Sequence, residues 1–268
     1  MSSRNFSDFY TSSDYTKKNP TYHEADSPHK WRNFKRCLEF SSKNKKIKLS
    51  SIKSVCEIGC GAGGILNQLQ NSNFINGIKK IEGWDINPGA IDLAKQKYPK
   101  ITFINEDLFD TDNDYDLMLC ADVFEHIEDS YSFLKKLNKK SKYFLFNIPL
   151  ELCLLTMLQG NNIIKKAYHS VGHIHFYSSS TANLMLELTG YEIIYQRFAR
   201  DRTRNFFTNP TFKKFVAMFP QFIIESINPY LSSVLMGDHL VVLAKRNDSL
   251  FNWTIRMTPQ ICLGTAQF

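Results

Sequence analysis

The hydrophobic positions of this chain follow two patterns that alternate along the sequence. Short, nearly continuous apolar runs predict buried strands, and segments with apolar residues three or four positions apart predict helices. Helical spacing occurs, for example, at Ile65, Leu66 and Leu69, and again at Ile91 and Ala94. Strands that alternate with helices are typical of an α/β protein. Seven strands are predicted, at residues 54–58, 80–84, 101–104, 115–120, 142–148, 191–196 and 238–245.

The first predicted strand leads into a turn with four glycines, Gly59, Gly61, Gly63 and Gly64. A chain that turns sharply between a strand and a helix, and approaches a ligand closely, needs residues without a Cβ atom. The N-terminus of the following helix presents free N–H groups, which favours a nucleotide-like ligand. Gly59, Gly61 and Gly64 also match the dinucleotide fingerprint G-x-G-x-x-G, so an NAD-dependent oxidoreductase is one hypothesis.

Two acidic residues stand at the ends of the first two strands. Glu57 precedes the first glycine by two positions, where a carboxylate suits a cationic amino acid group and disfavours a pyrophosphate. Asp85 ends the second strand, where an acidic residue can accept hydrogen bonds from two ribose hydroxyls. Asp85 fits any nucleoside ligand, and an N-cap of the next helix is its structural alternative. Glu57 therefore favours a nucleoside that carries an amino acid.

The sequence resembles the class I S-adenosylmethionine (SAM) methyltransferases at this glycine motif. Glu57, Gly59, Gly61 and Gly63 match the family's E-x-G-x-G-x-G. Residues 123–127 are similar to the V-x-E-H-[IV] of the branch that includes the quinone-biosynthesis O-methyltransferases. The [NDS]-P-P-[FYW] turn of enzymes that methylate nucleobase amines is absent from the sequence. The resemblance implies a seven-stranded, Rossmann-like α/β sheet with an antiparallel last strand.

The resemblance also implies which residues bind the cofactor. In this family an acidic residue after the third strand binds the adenine amino group, and the next backbone amide meets a ring nitrogen. Asp107 and Leu108 match that pair, and a solvated acidic turn is the alternative. The cofactor-binding residues that we expect are Glu57, Gly59, Cys60, Gly61, Gly63, Asp85, Ile86, Asp107, Leu108 and Cys120.

Three histidines are candidates for removing a proton from the methyl acceptor. His126 follows the fourth strand, where this fold places its substrate, and His173 and His175 lie in the loop after the fifth strand. Some quinone O-methyltransferases hold a divalent cation at this motif, and Asp122, Glu125 and His126 match those positions. We expect a site without metal and keep that set as an alternative. A purely structural His126, hydrogen-bonded within its loop, is a further interpretation.

Composition narrows the class of partner. The chain has 268 residues and a formal net charge of +7. Lys and Asn are spread throughout, so we attribute the charge to a general bias, expect a small-molecule acceptor and keep an RNA methyltransferase as an alternative. Six cysteines without a C-x-x-C pair, no apolar run long enough for a membrane span and no signal peptide predict reduced thiols in a cytoplasmic protein.

Three segments lie outside the resemblance. Residues 1–50 are predicted as an N-terminal arm and helix, with the arm as a lid over the active site. Within a methyltransferase domain at 51–246, the Phe-rich residues 200–237 predict a helical insertion that caps the pocket, pairs subunits of a homodimer or contacts a membrane surface. The tail, 247–268, contains L-G-T-A-Q-F, which resembles the first barrel strand of the aldo/keto reductases. It predicts a linker to a further domain absent from this chain, and a plain tail is the alternative.

Taken together, the sequence predicts a SAM-dependent methyltransferase that acts on a small polar acceptor, anionic or sugar-linked, and chiefly at oxygen. Against the NAD-dependent oxidoreductase stand Glu57, Asp107 and the motif at 123–127. A non-catalytic protein that keeps the nucleoside pocket for binding is the remaining hypothesis.

Overall fold

A seven-stranded sheet organises the chain. The structure is a computed structural model that describes residues 19, 21–22, 24–199 and 212–247, with only the backbone described at 212–218 and 220. The strand order is β3-β2-β1-β4-β5-β7-β6, and β7 runs antiparallel to both of its neighbours. The strands are β1 (Ser54–Ile58), β2 (Lys80–Trp84), β3 (Thr102–Ile104), β4 (Tyr115–Ala121), β5 (Ser141–Pro149), β6 (Tyr191–Phe198) and β7 (His239–Arg246). The predicted fold class is confirmed, and the strand ends differ from the predicted ones by at most two residues.

Helices cover both faces of the sheet. They are α1 (Ser27–Lys43), α2 (Gly64–Ser72), α3 (Pro88–Lys97), α4 (Ser130–Asn138), α5 (Leu154–Gln159), α6 (Asn161–Val171), α7 (Ser179–Leu188), α8 (Phe212–Ile227) and α9 (Pro229–Met236). Gly160, with a φ of +68°, ends α5 and separates it from α6. The predicted insertion is described from Phe212 onwards as α8 and α9, and its residues 200–211 lie outside the described ranges.

The core consists of two apolar layers, one on each face of the sheet. Side chains of a strand alternate between the faces, and in β4 Leu117 packs into one layer while Met118 packs into the other. The first layer includes residues of α1, α2 and α3, and the second includes residues of α4 and α7. Phe34 and Phe146 are fully buried. Each buried side chain of this size stabilises the fold by about 1.5–3 kcal/mol.

Helix α1 belongs to this core. Trp31, Phe34 and Cys37 form an apolar stripe along this helix and are buried in the core. Phe40, the outer end of that stripe, is half exposed and stacks on Tyr195 at 4.3 Å between ring centroids. The helix therefore positions the chain that precedes it, near residue 26, at a fixed place over the sheet. Residues 1–18 of the predicted arm and 248–268 of the tail lie outside the described residues.

The structure bears on two expectations from composition, the state of the cysteines and the presence of membrane-spanning helices. The five cysteines in the described ranges are buried free thiols, as expected of reduced cysteines, and Cys262 lies outside those ranges. In the part of the chain that the structure describes, no helix combines the length and the apolar character that crossing a membrane requires.

Candidate active site

A cavity of about 350 Å³ lies at the carboxyl ends of the central strands. The strand order changes direction between β1 and β4, and such a switch point is where open α/β sheets bind their ligands. The volume is in the range of small-molecule sites. Its described lining comprises Tyr22, Asp26, Ser27, Lys30, Glu57, Gly59, Cys60, Gly61, Ile65, Asp85, Ile86, Asn87, Ala121, Asp122, Val123, His126, Ile127, Pro149, Val171, His173 and His239.

The glycine turn forms one wall of the cavity. Gly59, Gly61 and Gly63 all have positive φ values, at +65°, +51° and +77°. A Cβ atom on Gly59 would lie 2.7 Å from Val123 Cγ2, and one on Gly63 would lie 2.4 Å from the ring of Phe103. Gly59 and Gly61 line the cavity, while Gly63 allows the turn to pack against β3. The turn needs these glycines for its backbone and for its packing.

Asp85 supports the same wall from the end of β2. Its Oδ2 accepts a hydrogen bond from the amide of Gly61 and its Oδ1 accepts one from the amide of Asn87, both at 2.8 Å. Burial raises the pKa of Asp85, and the two amide donors oppose that change. The N-cap of α3 is Asn87, whose side chain accepts from Ala90 N, so the structural alternative for Asp85 is wrong.

Glu57 is a buried carboxyl group at the cavity, near the end of β1. It is 2% exposed, and its Oε2 has no hydrogen-bond partner among the described residues. Burial raises the pKa of Glu57 to about 8, although Lys30 lowers it in part and Asp85 raises it further. A buried acceptor without a donor is costly. The site is therefore suited to a ligand that brings a donor or a cation to this carboxylate.

Lys30 and Asp122 form an ion pair that also lines the cavity. The Nζ of Lys30 lies 2.7 Å from Asp122 Oδ2, and Asn147 Nδ2 donates to Asp122 Oδ1 at 2.7 Å. Burial by itself would raise the pKa of Asp122, but Lys30 and then His239 hold it at about 2. Asp122 is thus an anion whose oxygens are bound by Lys30 and Asn147. Lys30 was not predicted, because a lysine on a helix usually faces solvent.

Glu125, His126 and His173 form a cluster whose potential metal-binding atoms lie within 4.8 Å of one another. Burial raises the pKa of Glu125 well above its ordinary value, and Asp122 raises it further. Both carboxyl oxygens of Glu125 lack a hydrogen-bond partner in the described structure. His173 thus takes the place in the cluster that the predicted metal set gave to Asp122. Two nitrogens and one oxygen suit a zinc-like divalent cation.

The two histidines of this cluster are held by different partners. His126 Nδ1 donates to the carbonyl of Gly172 at 3.2 Å, while His173 Nδ1 lies 2.6 Å from Glu151 Oε2. Burial, reinforced by His173, lowers the pKa of His126 to about 4. His126 is therefore neutral at neutral pH. Because its Nδ1 carries the proton, its Nε2 can accept one.

The structure brings most of the predicted site residues together. Glu57, Gly59, Cys60, Gly61, Asp85, Ile86, His126 and His173 are among the described residues that line the cavity. Gly63, Asp107, Leu108, Cys120, Glu125 and His175 are not in that lining.

Three of the residues outside the lining have local partners. Asp107 accepts a hydrogen bond from Phe109 N at 2.9 Å and so caps a short 3₁₀ helix. Leu108 is buried in the core. His175 Nε2 donates to the carbonyl of Ile127 at 2.8 Å. The side chains of Asp107, Leu108 and His175 therefore lie outside the lining, although His175 binds the backbone of Ile127, which is part of it.

The segment before α1 supplies residues that the sequence did not assign to the site. Tyr22, Asp26 and Ser27 line the cavity, and Tyr22 Oη donates to Asn87 Oδ1 at 3.4 Å. Glu24 binds Lys97 and Tyr98 at the end of α3. Tyr22 and Glu24 also lie beside the glycine turn, 3.4 Å and 3.1 Å from where a Cβ atom on Gly61 and on Gly64 would stand, and the lid itself remains a prediction.

A Rossmann-like sheet with a small-molecule cavity at its switch point, a glycine turn and an acidic residue after β2 defines the nucleotide-binding class of α/β enzymes. Within that class, the chain belongs to the methyltransferase domain family, whose model matches residues 24–196.

Sequence similarity to individual methyltransferases covers part of the chain. The mitochondrial ubiquinone biosynthesis O-methyltransferase of Saccharomyces cerevisiae is 28% identical over 141 residues, which cover 47% of this chain and 44% of the relative. The putative methyltransferase 235L of Invertebrate iridescent virus 6 is 27% identical over 149 residues, covering 52% and 53% of the two chains. The chain thus matches about half the length of these relatives.

Among solved structures, the plantazolicin methyltransferase is similar, with a TM-score of 0.58 at 16% identity. That structure holds S-adenosylhomocysteine (SAH) and a monoazolic desmethylPZN analog. The match covers 90% of this chain and 93% of that one. At this level of identity the comparison shows a shared fold.

Proposed function

We propose that the chain binds SAM in this cavity and transfers its methyl group to the oxygen of a small polar acceptor. The observation that carries the proposal is the unpartnered Oε2 of the buried Glu57 at the cavity wall. The methionine part of SAM has an ammonium group, which is the partner that such a carboxylate lacks. The pyrophosphate of NAD would place negative charge beside it instead. The methyltransferase family match favours the same cofactor.

Other residues of the cavity fit the rest of this cofactor. Gly59 and Gly61 line the cavity, so a ligand can contact the backbone of the turn. Asp85 can accept hydrogen bonds from the ribose hydroxyls, and Lys30 can bind the carboxylate of the methionine part. Asp107 and Leu108 remain the predicted adenine contacts, although they are not in the described lining of the cavity. SAM supplies an activated methyl group on a sulfonium.

Proton removal from the acceptor is the chemical step that the protein itself must provide. His126 is neutral and can accept a proton at Nε2, since Nδ1 donates to Gly172. The carboxylates of Asp122 and Glu151 counteract the low pKa of His126 and would stabilise the imidazolium that forms. Glu151 also fixes the ring of His173, because its Oε2 lies 2.6 Å from His173 Nδ1. We assign His126 as the base and His173 as its neighbour that orients the acceptor.

A divalent cation is the second candidate for activating the acceptor. Glu125, His126 and His173 would hold it, and the two unpaired carboxyl oxygens of Glu125 favour this alternative. A bound cation would lower the pKa of the acceptor hydroxyl. His175 donates to a backbone carbonyl and has no part in either mechanism.

The acceptor is the least defined part of the proposal. The name of the yeast relative contains O-methyltransferase, which supports oxygen as the target. The cavity volume suits a small polar, anionic or sugar-linked molecule better than a nucleic acid. An RNA acceptor, a homodimer formed through 200–237, a cytoplasmic location and a fused aldo/keto reductase domain after 247 remain hypotheses.

The first test is calorimetric titration of the chain with S-adenosylhomocysteine (SAH), with NAD in a parallel experiment. We expect saturable binding of SAH and none of NAD. An acceptor screen with and without a chelator then separates His126 acting alone from a metal-assisted reaction. Binding of NAD alone would contradict the proposal. Turnover with RNA or protein substrates and none with small molecules would contradict its acceptor class.

A further inference from the structure

Helices α5 and α6 leave their apolar side chains in solvent. Neither helix contains a buried residue. Met157 is 66% exposed and Leu158 76% exposed, although helices of globular domains normally bury such residues against the core. In α6 the apolar positions Ile163, Ile164 and Ala167 recur at helical spacing. Both helices therefore present an apolar face that the described part of the chain does not cover.

Two further helices extend this face. Helix α9 packs against α5, and α8 packs against α9. Phe222 and Ile227 of α8 are 51% and 80% exposed, and Leu231 of α9 is 45% exposed. We name the exposed apolar residues of α5, α6, α8 and α9 the apolar cap. Contiguous exposed apolar surface on a domain usually marks an interaction site.

The charges around the apolar cap are almost all positive. Residues 152–186 contain no Asp or Glu, while Lys165 and Lys166 lie on α6. Glu225, the acidic residue of α8, is buried. An apolar surface with basic residues and without exposed acidic ones is complementary to a membrane surface that contains anionic lipid. A second copy of the chain would bring like charges together instead.

We propose that the apolar cap binds the surface of a membrane that contains anionic lipid. The apolar side chains enter the interfacial region, and Lys165 and Lys166 contact the lipid headgroups. The described helices do not cross the membrane. Val171, the last residue of α6, lines the cavity, and so the membrane-binding surface continues into the candidate active site. An acceptor with an apolar tail could therefore reach the cavity directly from the lipid surface.

The test measures partitioning of the purified chain onto vesicles of phosphatidylcholine, with and without phosphatidylglycerol. We expect binding to vesicles with phosphatidylglycerol, weakened by added salt. The double variant Met157→Gln/Leu158→Gln should lower the partition coefficient by at least about tenfold, because both side chains lose their apolar insertion. Lys165→Glu/Lys166→Glu should lower it by about tenfold or more.

The matched control is Leu184→Gln/Leu188→Gln. These leucines of α7 are 53% and 58% exposed and lie outside the apolar cap, so partitioning should not change. Wild-type chain that fails to bind vesicles with phosphatidylglycerol overturns the proposal, as does an equal loss in the control. A dimer in light scattering that Met157→Gln/Leu158→Gln dissociates, without vesicle binding, would show that a second copy covers the surface.

The proposal does not depend on the proposed methyl transfer. The substituted side chains are exposed, so the variants should fold, and circular dichroism checks this. SAH titration of the same variants reports on the cavity separately. Vesicle binding without SAH binding would preserve this proposal and contradict the cofactor assignment, while the reverse result would do the opposite.

Discussion

The two halves of the cavity differ in the chemical groups that form them, backbone in one and titratable side chains in the other. One half, which our proposal assigns to the nucleoside and which we call the nucleoside half, follows β1 and β2. It depends on backbone conformation, with Asp85 accepting hydrogen bonds from the amides of Gly61 and Asn87. The other, which our proposal assigns to the methyl acceptor and which we call the acceptor half, follows β4 and β5. It consists of titratable side chains, among them His126 and His173, supplied by segments far apart in the chain.

The carboxyl groups of Asp85 and Glu125, one in each half, also differ in whether they have hydrogen-bond partners. Both carboxyl oxygens of Asp85 have backbone donors, whereas both carboxyl oxygens of Glu125 lack partners in the described structure. A carboxylate bound by two backbone amides, as Asp85 is, keeps its place whether or not a ligand is present. A half with buried, unpaired groups depends on protonation and on what is bound. We therefore expect substitutions in the first half to change affinity, and substitutions in the second to change turnover.

The largest expected effect is that of His126→Ala on turnover. Loss of a general base lowers kcat by about 10²–10⁴-fold. SAH affinity should stay the same, because His126 belongs to the acceptor half. His175→Ala is the comparison variant, since the His175 side chain is not in the described lining of the cavity and donates to the backbone carbonyl of Ile127. Steady-state kinetics with an accepted substrate and SAH titration measure both. Equal losses in the two variants, or a large loss of SAH affinity in His126→Ala, would remove the distinction between the halves.

The next effect concerns the stability of the glycine turn. A Cβ on Gly63 would lie 2.4 Å from Phe103 Cζ in a backbone with a φ of +77°. We expect Gly63→Ala to lower the free energy of unfolding by about 2–5 kcal/mol, from the positive φ and from overpacking. Gly77→Ala is the matched control, with a φ of +79° and Lys53 Nζ as its contact at 3.1 Å.

Urea unfolding measures both glycine variants. Because the Lys53 side chain can move aside, Gly77→Ala should lose only the cost of the positive φ, about 1–2 kcal/mol. Equal losses in the two variants would mean that the ring of Phe103 yields to the new methyl group. The packing of the turn against β3 would then contribute nothing to its stability.

Asp85→Ala tests the nucleoside half itself. We expect SAH affinity to fall by about 1–3 kcal/mol, because the variant removes the acceptor of the ribose hydroxyls. Asp85→Asn retains the shape and one oxygen, and should lose less. Calorimetry with SAH measures the change, and turnover at saturating SAM should be largely retained. An unchanged affinity for SAH in Asp85→Ala would exclude Asp85 from the site.

Local sequence was enough to predict the fold and the glycine-turn wall of the cavity, whereas the predicted Asp107, Leu108 and Cys120 are not in the described lining. The strands are apolar runs because both faces of the sheet are covered, and the glycines of the turn adopt the positive φ values that their type favours. Asp85 lies one βα unit after the turn, which fixes its position relative to Gly61. In each case the informative residues are close in sequence or related by a regular repeat.

The acceptor half could be predicted only in part, because it depends on contacts between distant segments. Nothing in the local pattern of α1 distinguishes Lys30 from a solvent-exposed lysine, yet it pairs with Asp122. His173 joins Glu125 and His126 because the loop after α6 folds back across β4, a contact that spacing does not reveal.

The smallest expected effect is the release of a proton when SAH binds. It tests Glu57, which lies on β1 but, like Glu125 in the acceptor half, is a buried carboxyl group with an unpaired oxygen in the described structure. The free protein holds Glu57 with a pKa of about 8, raised from 4.5. At pH 7 the carboxyl group is therefore mostly protonated, and an ammonium group beside it favours the ionised form. SAH binding should thus release about one proton, and its affinity should rise about tenfold per pH unit between roughly pH 6 and pH 8.

The same shift in the pKa of Glu57 affects stability with a definite sign. A carboxyl group whose pKa is higher in the folded state binds more protons there, so its contribution makes the fold less stable as the pH rises from 4.5 to about 8. Glu57→Gln should remove both the slope of this contribution and the proton release. Titrations in buffers of different ionisation enthalpy, with urea unfolding at several pH values, measure the two. SAH binding without proton release at pH 7 would mean that the free protein already holds Glu57 ionised, and that the Lys30 ion outweighs burial at this carboxylate.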